Sequence, residues 1–523
     1  MSVRARWLLP GLLGCQGGPT IEPGTVAPAK ASMVERHATP PAGPGTAGGP
    51  PPSEPFHASP TFELEEAPDR SARSIVVISL DTVSAPILAL YGGPAETPNL
   101  AALAARGTRF TDPATHFPET CLSHWTLLSG VLPEAHGNAP AHAGSQYTGP
   151  TMAEIARRAG YATGAVIGGV TLQDTACGLS RGFAAYDDQF ALDPSDMRRP
   201  AAEVTGRAVQ WLQRQEGPFF LFVHYFDAHF PYTPPAPWDT HYDPDYTGTL
   251  DGSDATLRPY RDGGKTPSAR DVAHIEALYA GEVSALDEAL EPLLSAIPED
   301  TVVVVTADHG ESFGHDYWFN HRGVLWDDVM RVPLVIAGLD RPAGQPVDGP
   351  VGLVDVARTV LAAAGLPADR RMGGRDLNTV DPAEVPVAQL AITDPWVGSA
   401  WFAARAFPTK RLERPDPLGV AIFQLDVDPG ERTPSPNASG EELQSSRASW
   451  NHAVETWAMD QVDAPVRVVS DAEIRRLEAL GYVDPTGAQS PPPKRPSPQR
   501  APGKAPGARR GPPGGAHPPA NRP

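Results

Sequence analysis

The sequence predicts an α/β fold in which a mainly parallel sheet is sandwiched by helices. Two apolar runs, residues 74–80 and 301–307, carry this prediction, because continuous runs of β-branched residues are typical of strands buried on both faces. Between these runs, helical and strand-like patterns alternate along the chain, which favours parallel strands covered on both sides. A smaller α+β domain is predicted to follow over residues 394–484.

Local patterns predict the other elements in order. They are a helix at 151–159, a strand at 162–167, a helix at 201–215, a strand at 219–225, a helix at 272–297, a strand at 419–425 and a helix at 471–480. In the long helix, apolar residues recur at multiples of the helical period and so share one face; they are Ile275, Leu278, Leu286, Leu290, Leu293 and Ile297.

Composition limits the possible partners. A chain of 523 residues is long enough for a large core and about two domains. Its formal net charge of -20 argues against binding to nucleic acid or to anionic lipid surfaces. Any anionic ligand would therefore have to be attracted by a local positive charge. The 61 Pro and 50 Gly residues are concentrated towards the ends, which predicts a disordered tether over 15–72 and a disordered tail over 485–523.

The first residues resemble a bacterial lipoprotein signal. Arg4 and Arg6 precede a short apolar stretch that ends before Cys15, so residues 1–14 are expected to be removed and Cys15 to be lipidated. The stretch is too short to span a bilayer as a helix. We therefore expect a protein of the bacterial cell envelope, lipid-anchored or periplasmic, with a secreted protein as the alternative. The lipid on Cys15 would be its contact with the membrane, and the sequence gives no indication of oligomeric state.

Two further cysteines, Cys121 and Cys177, belong to the main domain. In an oxidising envelope they can pair, but two buried free thiols are an equally good interpretation. The sequence leaves both open.

Polar side chains end both of the apolar runs. Asp81 follows the first run, and Asp308 and His309 follow the second. Functional groups in open α/β sheets collect beyond the carboxyl ends of the strands, so we expect these side chains to meet. Two carboxylates and an imidazole suit a divalent cation. Thr120 adds a hydroxyl, although it is also placed to act simply as the N-cap of a helix that begins near Leu122.

The order of motifs along the chain resembles the sulfatases of the alkaline phosphatase superfamily. The matching segments are Asp81-Thr82, Leu90-Tyr91-Gly92, Thr97-Pro98-Asn99-Leu100, residues 220–232, Tyr279 to Asp287, Asp308 to Glu311, His321, Arg331-Val332-Pro333, Gly374 to Leu377, Asp426 to Glu431 and Leu480 to Val483. The resemblance implies an alkaline phosphatase-like fold, with a catalytic domain over residues 73–393, and a hydrolase that acts on ester bonds.

The nucleophile position departs from the family pattern. Sulfatases typically carry Cys-x-Pro-Ser-Arg, whose Cys is oxidised to formylglycine, ahead of a Leu-Leu-Thr-Gly segment. Counting back from residues 127–130 places Thr120, not Cys121, at this position. Hydrated formylglycine releases sulfate by breaking its own carbon–oxygen bond, which threonine cannot do. A threonine activated by a metal can attack phosphorus and form a phosphothreonine, which water or an alcohol resolves.

The sequence therefore favours a phosphodiester or a phosphonate ester as the substrate. Three alternatives stay open: a true sulfuric ester hydrolase, a transferase that moves a phospho group to an alcohol, and a sulfatase-like binding protein without catalysis. The substrate itself is a small anionic ester, recognised by loops such as residues 230–269.

The resemblance also implies roles for individual residues. Asp81, Thr120, Asp308 and His309 correspond to the metal ligands. One divalent ion is expected, either Mn, Zn or Ca.

Three histidines complete the predicted site. His229 and His321 match histidines that contact the anion or protonate the leaving oxygen, and His124 replaces an arginine beside the nucleophile. His124 is expected to orient Thr120 or to hold a substrate oxygen, and a purely structural role is the alternative for all three. A two-zinc site is disfavoured, because Asp227 and His229 lack the Asp-x-x-x-His spacing of such sites.

Overall fold

The computed structural model describes residues 62–68, 71–136, 147–190, 198–315, 317–379, 387–389, 393–394, 399–400, 402–406, 408–413 and 420–435. The predicted signal peptide with Cys15, most of the predicted tether, the predicted helix at 471–480 and the tail lie outside these residues.

Ten strands precede residue 353. They are β1 (Ile75–Leu80), β2 (Thr108–Ala114), β3 (Ala162–Val166), β4 (Ala185–Asp187), β5 (Phe219–Tyr225), β6 (Val302–Thr306), β7 (Ser312–Gly314), β8 (Tyr317–Asn320), β9 (Leu334–Ala337) and β10 (Val347–Gly352). Strands β7 and β8 form a hairpin, and the other eight form one sheet in the order β10-β2-β9-β6-β1-β5-β3-β4. Within it only β9 runs antiparallel to its neighbours, so the sheet is mainly parallel as predicted.

Besides three short 3₁₀ helices, eleven α-helices lie among the described residues. They are α1 (Pro98–Arg106), α2 (Thr120–Ser129), α3 (Pro133–His136), α4 (Met152–Arg158), α5 (Asp174–Cys177), α6 (Ala201–Leu212), α7 (Trp238–His241), α8 (Asp254–Arg261), α9 (Ala269–Ala296), α10 (Asp327–Met330) and α11 (Val354–Ala363). Helices α4 and α9 begin with capping boxes, Thr151 with Glu154 and Ser268 with Asp271. Helices flank the sheet; α4 and α6, for example, pack against β3 and β5. None of the described helices is both long and apolar enough to cross a bilayer.

The central strands are buried on both faces. Every residue of β1, β5 and β6 is buried, which explains why their sequences are continuously apolar instead of alternating. The predicted helices at 151–159, 201–215 and 272–297 correspond to α4, α6 and α9, with ends that differ by a few residues.

A smaller antiparallel sheet follows the main domain. Its strands are β11 (Val387–Gln389), β14 (Phe402–Ala406), β15 (Thr409–Glu413) and β16 (Val420–Gln424), and a separate pair is formed by β12 (Thr393–Asp394) and β13 (Ser399–Ala400). Strand β16 matches the strand predicted at 419–425. The sheet packs against residues 324–330 of the main domain through a second apolar cluster that includes Trp326 and Phe423. It begins at residue 387, ahead of the boundary expected at 394.

The predicted end of the tether, residue 72, was placed too late in the chain. Phe62 packs against the main core, and the backbone N–H of Glu63 donates to Asp369 at 2.7 Å. Glu65 pairs with Arg358 at 2.7 Å. Residues 62–68 are therefore attached to the main domain, because the Phe62 ring, the Glu63 backbone and the Glu65 carboxylate give this segment contacts with it.

Candidate active site

The carboxyl ends of three neighbouring strands form the site. Strand β1 lies between β5 and β6, and Ser79 is in register with both His224 and Thr306. Asp81 lies two residues after Ser79, and Asp308 lies two residues after its partner Thr306. The two aspartates therefore lie side by side at the ends of their strands. Asp81, Asp308 and His309 are fully buried, and one ligand atom from each lies within 4.8 Å of the others. The structure brings the predicted ligands together.

The two oxygens of Asp308 have different surroundings. Oδ1 accepts hydrogen bonds from the backbone N–H groups of Thr82 at 3.2 Å and His309 at 2.8 Å. Thr82 has a φ of 57°, a strained conformation that turns its N–H towards this carboxylate. Oδ2 is buried and accepts no hydrogen bond from the part of the chain that the structure describes. A buried carboxylate oxygen without a donor is suited to a cation.

Asp81 lies in a cluster of negative charge. Burial raises the pKa of Asp81 well above its usual value, and the nearby Asp308 and Glu311 carboxylates raise it further. A positive charge is needed to keep these buried groups ionised. Two carboxylates and one imidazole therefore fit a divalent cation in both charge and donor type.

Thr120 is the first residue of α2, and its hydroxyl faces the cluster. Thr120 Oγ1 lies 3.4 Å from His309 Nε2, and the Thr120 hydroxyl lowers the pKa of Asp81, against the larger effect of burial. The interpretation of Thr120 as an N-cap is wrong, because Glu119 occupies that position and its carboxylate accepts from the N–H of Leu122 at 3.1 Å. The Thr120 side chain thus points towards the metal ligands.

His124 lies one turn further along α2. Its Nδ1 is 2.6 Å from the carbonyl oxygen of Thr120, and its Nε2 is 2.8 Å from Ser79 Oγ. Burial lowers the pKa of His124, although the Asp308 carboxylate opposes this effect. Both ring nitrogens contact the protein, which fits an orienting role towards Thr120 better than contact with a substrate oxygen.

His229 and His321 stand next to the cluster. The ring of His321 lies 4.1 Å from that of His309 and 5.6 Å from that of His229, measured between centroids. His229 Nδ1 donates to the carbonyl of Phe230 at 2.8 Å, and its ring stacks on Phe226. Burial lowers the pKa of both histidines well below the usual value. All the residues predicted for the site therefore converge on one region.

A sequence model of the family described as Sulfatase matches residues 73–366, which is more than half of the chain. The chain belongs to the sulfatase family. It is 24% identical over 355 residues to the uncharacterized sulfatase YidJ of Escherichia coli K12, a match that covers 59% of this chain and 71% of YidJ.

Solved structures share the fold of this sulfatase-family protein. The phosphonate monoester hydrolase SpPMH from Silicibacter pomeroyi is 20% identical with a TM-score of 0.57, over 75% of this chain and 96% of that one. A protein in complex with its substrate D-glucosamine-2-N,6-O-disulfate is 16% identical with a TM-score of 0.58, over 74% and 98%. The predicted superfamily, fold class and enzyme class, a hydrolase that acts on ester bonds, are confirmed.

Three acidic or histidine side chains of this sulfatase site were not assigned a role from sequence. His224 Nε2 lies 3.1 Å from Asp81 Oδ2, and Glu119 caps α2, the helix that begins with Thr120. Glu311 Oε1 lies 3.4 Å from His321 Nδ1; burial raises the pKa of Glu311 to about 8, although Arg261 opposes this. A histidine within an otherwise apolar strand is a signal for His224. Glutamate is an uncommon N-cap residue, so Glu119 gave no comparable signal.

Cys121 and Cys177 form a disulfide, which resolves the alternative that the sequence left open. The bond joins the first turn of α2 to the end of α5. The indole N–H of Trp125 also donates to the carbonyl of Cys177 at 3.1 Å, so two interactions fix α2 against α5. The disulfide therefore holds the residue next to Thr120.

Proposed function

We propose that this sulfatase-family protein cleaves a phosphodiester or a phosphonate monoester through a covalent intermediate on Thr120. One observation carries the proposal: the Thr120 hydroxyl lies beside the ligand cluster, 3.4 Å from His309 Nε2, while the adjacent Cys121 is in a disulfide. A cysteine in a disulfide cannot serve as a formylglycine precursor. The hydroxyl that remains is suited to attack on phosphorus, because the resulting ester can be resolved by a second attack at phosphorus.

The proposed reaction has two displacements. Thr120 loses its proton to water, and its oxygen attacks phosphorus in line with the leaving oxygen. The bond from Oγ1 to phosphorus forms and the bond to the leaving oxygen breaks. The leaving oxygen takes a proton from His229 or His321, which the negative charge of the bound substrate would bring into the imidazolium form against the effect of burial. Water then gives a proton back to that histidine, and the resulting hydroxide attacks phosphorus. The bond from phosphorus to Oγ1 breaks, and Oγ1 regains from solvent the proton that it lost in the first step.

The residues around the nucleophile support these steps. Asp81, Asp308 and His309 would hold a single divalent ion, for which we propose Mn, Zn or Ca; it would lower the pKa of the hydroxyl and neutralise charge on the transferred group. His124 fixes the start of α2 through the Thr120 carbonyl. Orientation of this kind reduces the entropy lost on reaching the transition state.

Sulfate ester hydrolysis is the second candidate. The family itself favours it, and the fold is equally similar to a protein with a sulfated sugar substrate and to a phosphonate monoester hydrolase, with TM-scores of 0.58 and 0.57. The nucleophile, not the fold, is therefore the feature that separates the two candidates. Transfer of the phospho group to an alcohol would use the same first step, the attack of Thr120 on phosphorus. It would differ only in the second step, in which an alcohol instead of water attacks the intermediate.

Turnover of matched substrates tests the proposal. Protein stripped of metal and reloaded with Mn²⁺ is assayed against p-nitrophenyl sulfate, phosphate monoester, phosphodiester and phenylphosphonate. Phosphodiester or phosphonate is expected to be turned over best, and Thr120→Ala is expected to lower kcat at least about thousandfold, because the nucleophile is lost. Mass spectrometry of quenched wild type should find the phosphoryl or phosphonyl group on Thr120.

Thr126→Ala is the matched control, because Thr126 is buried on the same helix but contacts His136 instead of the ligand cluster. It should keep most of the activity. Full activity in Thr120→Ala would refute the nucleophile, and dominant sulfate turnover would favour the second candidate. Formation of the methyl ester from dilute methanol faster than hydrolysis, despite the excess of water, would identify transfer.

We also propose that the protein works in the bacterial cell envelope, lipid-anchored through Cys15 or periplasmic, with secretion as the alternative. The disulfide between Cys121 and Cys177 supports an oxidising compartment. The state of these cysteines in protein isolated from its own cells tests this location, since two free thiols would contradict it.

A further inference from the structure

His229 lies in a short loop that follows β5. The loop, residues 226–233, leads from the end of this strand towards α7, and we call it the His229 loop. Two contacts of the His229 ring come from the loop itself. The ring stacks on Phe226 with 4.3 Å between centroids, and Nδ1 donates to the carbonyl oxygen of Phe230 at 2.8 Å. The position of this histidine therefore depends on how the loop is held.

Arg198 contacts the His229 loop near both of its ends. Its Nη1 donates to the backbone carbonyl of Asp227 at 2.7 Å, and its Nη2 donates to the hydroxyl of Thr233 at 3.2 Å. The backbone of Arg198 forms an isolated β-bridge with Gly169, so this arginine is anchored in another part of the domain. Because a guanidinium holds its N–H donors in one rigid plane, the two contacts fix the distance between the two ends of the loop.

Glu282 of α9 joins the same contact. Its Oε1 accepts from the backbone N–H of Thr233 at 2.8 Å and lies 3.6 Å from Nη1 of Arg198. Glu282 is buried, and burial raises its pKa to about 8, although the charge of Arg198 opposes this effect. A buried carboxylate needs hydrogen bonds and a counter-charge. Here the loop supplies a hydrogen bond, and the arginine that holds the loop supplies the charge.

Other contacts hold single points of the His229 loop. The N–H of Ala201, the first residue of α6, donates to Asp227 Oδ1 at 2.9 Å, and the N–H of Tyr232 donates to the carbonyl of Gly252 at 3.0 Å. Each of these contacts fixes one end, whereas Arg198 connects the two. Loss of Arg198 is therefore expected to loosen the spacing of the ends without releasing the loop.

We propose that Arg198 and Glu282 are positioning residues, which hold the two ends of the His229 loop together and so set where His229 meets the group transferred from the substrate. This inference rests on the proposed function, in which His229 is one of two proton donors. Both residues act through His229, not on the substrate. A shift of a catalytic group by about 1 Å can lower a rate about a hundredfold, so control of the loop is enough to affect turnover.

A double-mutant cycle tests the proposal. Arg198→Met removes the contacts with both ends of the loop, and His229→Ala removes the group that they position. The substrate is the phenyl analogue of whichever p-nitrophenyl ester the Mn²⁺-loaded wild type turns over best, because phenol is a poor leaving group that needs a proton. Arg198→Met should lower kcat about tenfold to a hundredfold, with KM changed less than about threefold. In the His229→Ala background it should lower kcat less than about threefold, because the positioned histidine is already absent.

Further variants serve as controls. Glu282→Gln keeps an acceptor for the N–H of Thr233 and should retain more of kcat than Glu282→Leu does. Arg207→Met removes an arginine of α6 that pairs with Asp187 at 3.0 Å, and should leave kcat unchanged. Thermal melting shows whether each variant is folded. Arg198→Lys keeps the charge without the planar pair of donors, and it replaces Arg198→Met in the cycle if that variant does not fold.

Hydrogen exchange of the wild type and the same variants provides a second measurement that needs no substrate. The backbone amides of residues 226–233 should exchange at least about threefold faster in Arg198→Met than in wild type, because the ends of the loop are less firmly held. Arg207→Met should leave this exchange unchanged. Equal exchange in Arg198→Met and wild type would overturn the inference.

The outcomes separate this inference from the proposed function. An unchanged kcat in Arg198→Met, or an equal loss of kcat with and without His229, would overturn the positioning role. The second result would mean that Arg198 supports the fold in general. If His229→Ala alone leaves kcat unchanged, or if wild type turns over none of the esters, the proposed function fails in that respect. Hydrogen exchange then decides whether Arg198 holds the loop.

Discussion

Asp81 is held in place by a histidine that is not itself among the predicted ligands. His224 Nε2 lies 3.1 Å from Asp81 Oδ2, and the His224 ring packs edge-on against His124 at 5.2 Å. Both side chains are fully buried. A partner of this kind fixes the orientation of a metal-binding carboxylate and so contributes to metal affinity.

Replacement of His224 is expected to weaken metal binding. His224→Gln should lower the affinity for Mn²⁺ by about tenfold to a hundredfold, because Asp81 loses its fixed orientation. Calorimetric titration of metal-free protein measures this directly, without any substrate. His136→Gln is the control, since His136 is equally buried but contacts Thr126. Unchanged affinity in His224→Gln would exclude the positioning role.

At the scale of elements, α2 carries the proposed nucleophile, Thr120, in a firmly fixed first turn. Glu119 caps the helix, and the disulfide of Cys121 with Cys177 ties its first turn to α5. The helix ends at Gly130, whose φ of 63° closes its last turn in the left-handed conformation. Helix α2 also packs against α11. Thr120, the proposed nucleophile, is therefore fixed by contacts from several parts of the chain.

Removal of the disulfide should affect both stability and rate. The double variant Cys121→Ala, Cys177→Ala is expected to lose about 3–4 kcal/mol in the free energy of unfolding, because the bond closes a long loop, with 56 residues separating the cysteines. Urea denaturation measures this loss. Because Cys121 is adjacent to Thr120, the factor by which kcat falls should exceed the factor by which KM rises. A purely structural bond would lower stability but leave kcat unchanged in the folded fraction.

At the scale of the whole molecule, buried charges join the small sheet to the catalytic domain. Lys410 Nζ lies 2.9 Å from Asp327 and 2.8 Å from Glu431, and it donates to the carbonyl of Leu325 at 2.6 Å. Burial alone would raise the pKa of Asp327, but Arg405 and Lys410 outweigh it and bring this pKa to about 2. These contacts tie Leu325 and Asp327, which follow His321 closely in the chain, to the small sheet.

Loss of the central cation should destabilise the protein strongly. Lys410→Met is expected to cost about 3–5 kcal/mol, because it leaves buried carboxylates without one of their counter-charges. Urea or thermal denaturation gives the value. Lys265→Met is the matched control; Lys265 is exposed, and its replacement should change stability by less than about 0.5 kcal/mol. A similar effect of both replacements would mean that the buried network contributes little.

Local sequence determined the elements and most of the site. The apolar runs predicted β1 and β6 because strands buried on both faces need no polar side, and helical spacing predicted α9. Asp81, Asp308 and His309 were predicted to meet because parallel strands bring their carboxyl ends to one edge. Motif order identified the family, and counting from residues 127–130 selected Thr120. Each of these inferences depends on residues that are near in sequence or on a general rule of sheet topology.

Tertiary structure alone decided the remaining features. His224 reaches Asp81 because β5 lies beside β1, and strand order is not encoded in the periodicity of either strand. The pairing of Cys121 with Cys177 and the position of Arg261 over Phe230 depend on chain paths that join distant segments. Periodicity and capping report on interactions within a few residues, whereas these contacts are set by packing of the whole domain. The sequence therefore determined which reactive and metal-binding groups this protein has. The fold decided which of these groups lie close enough together to act in one site.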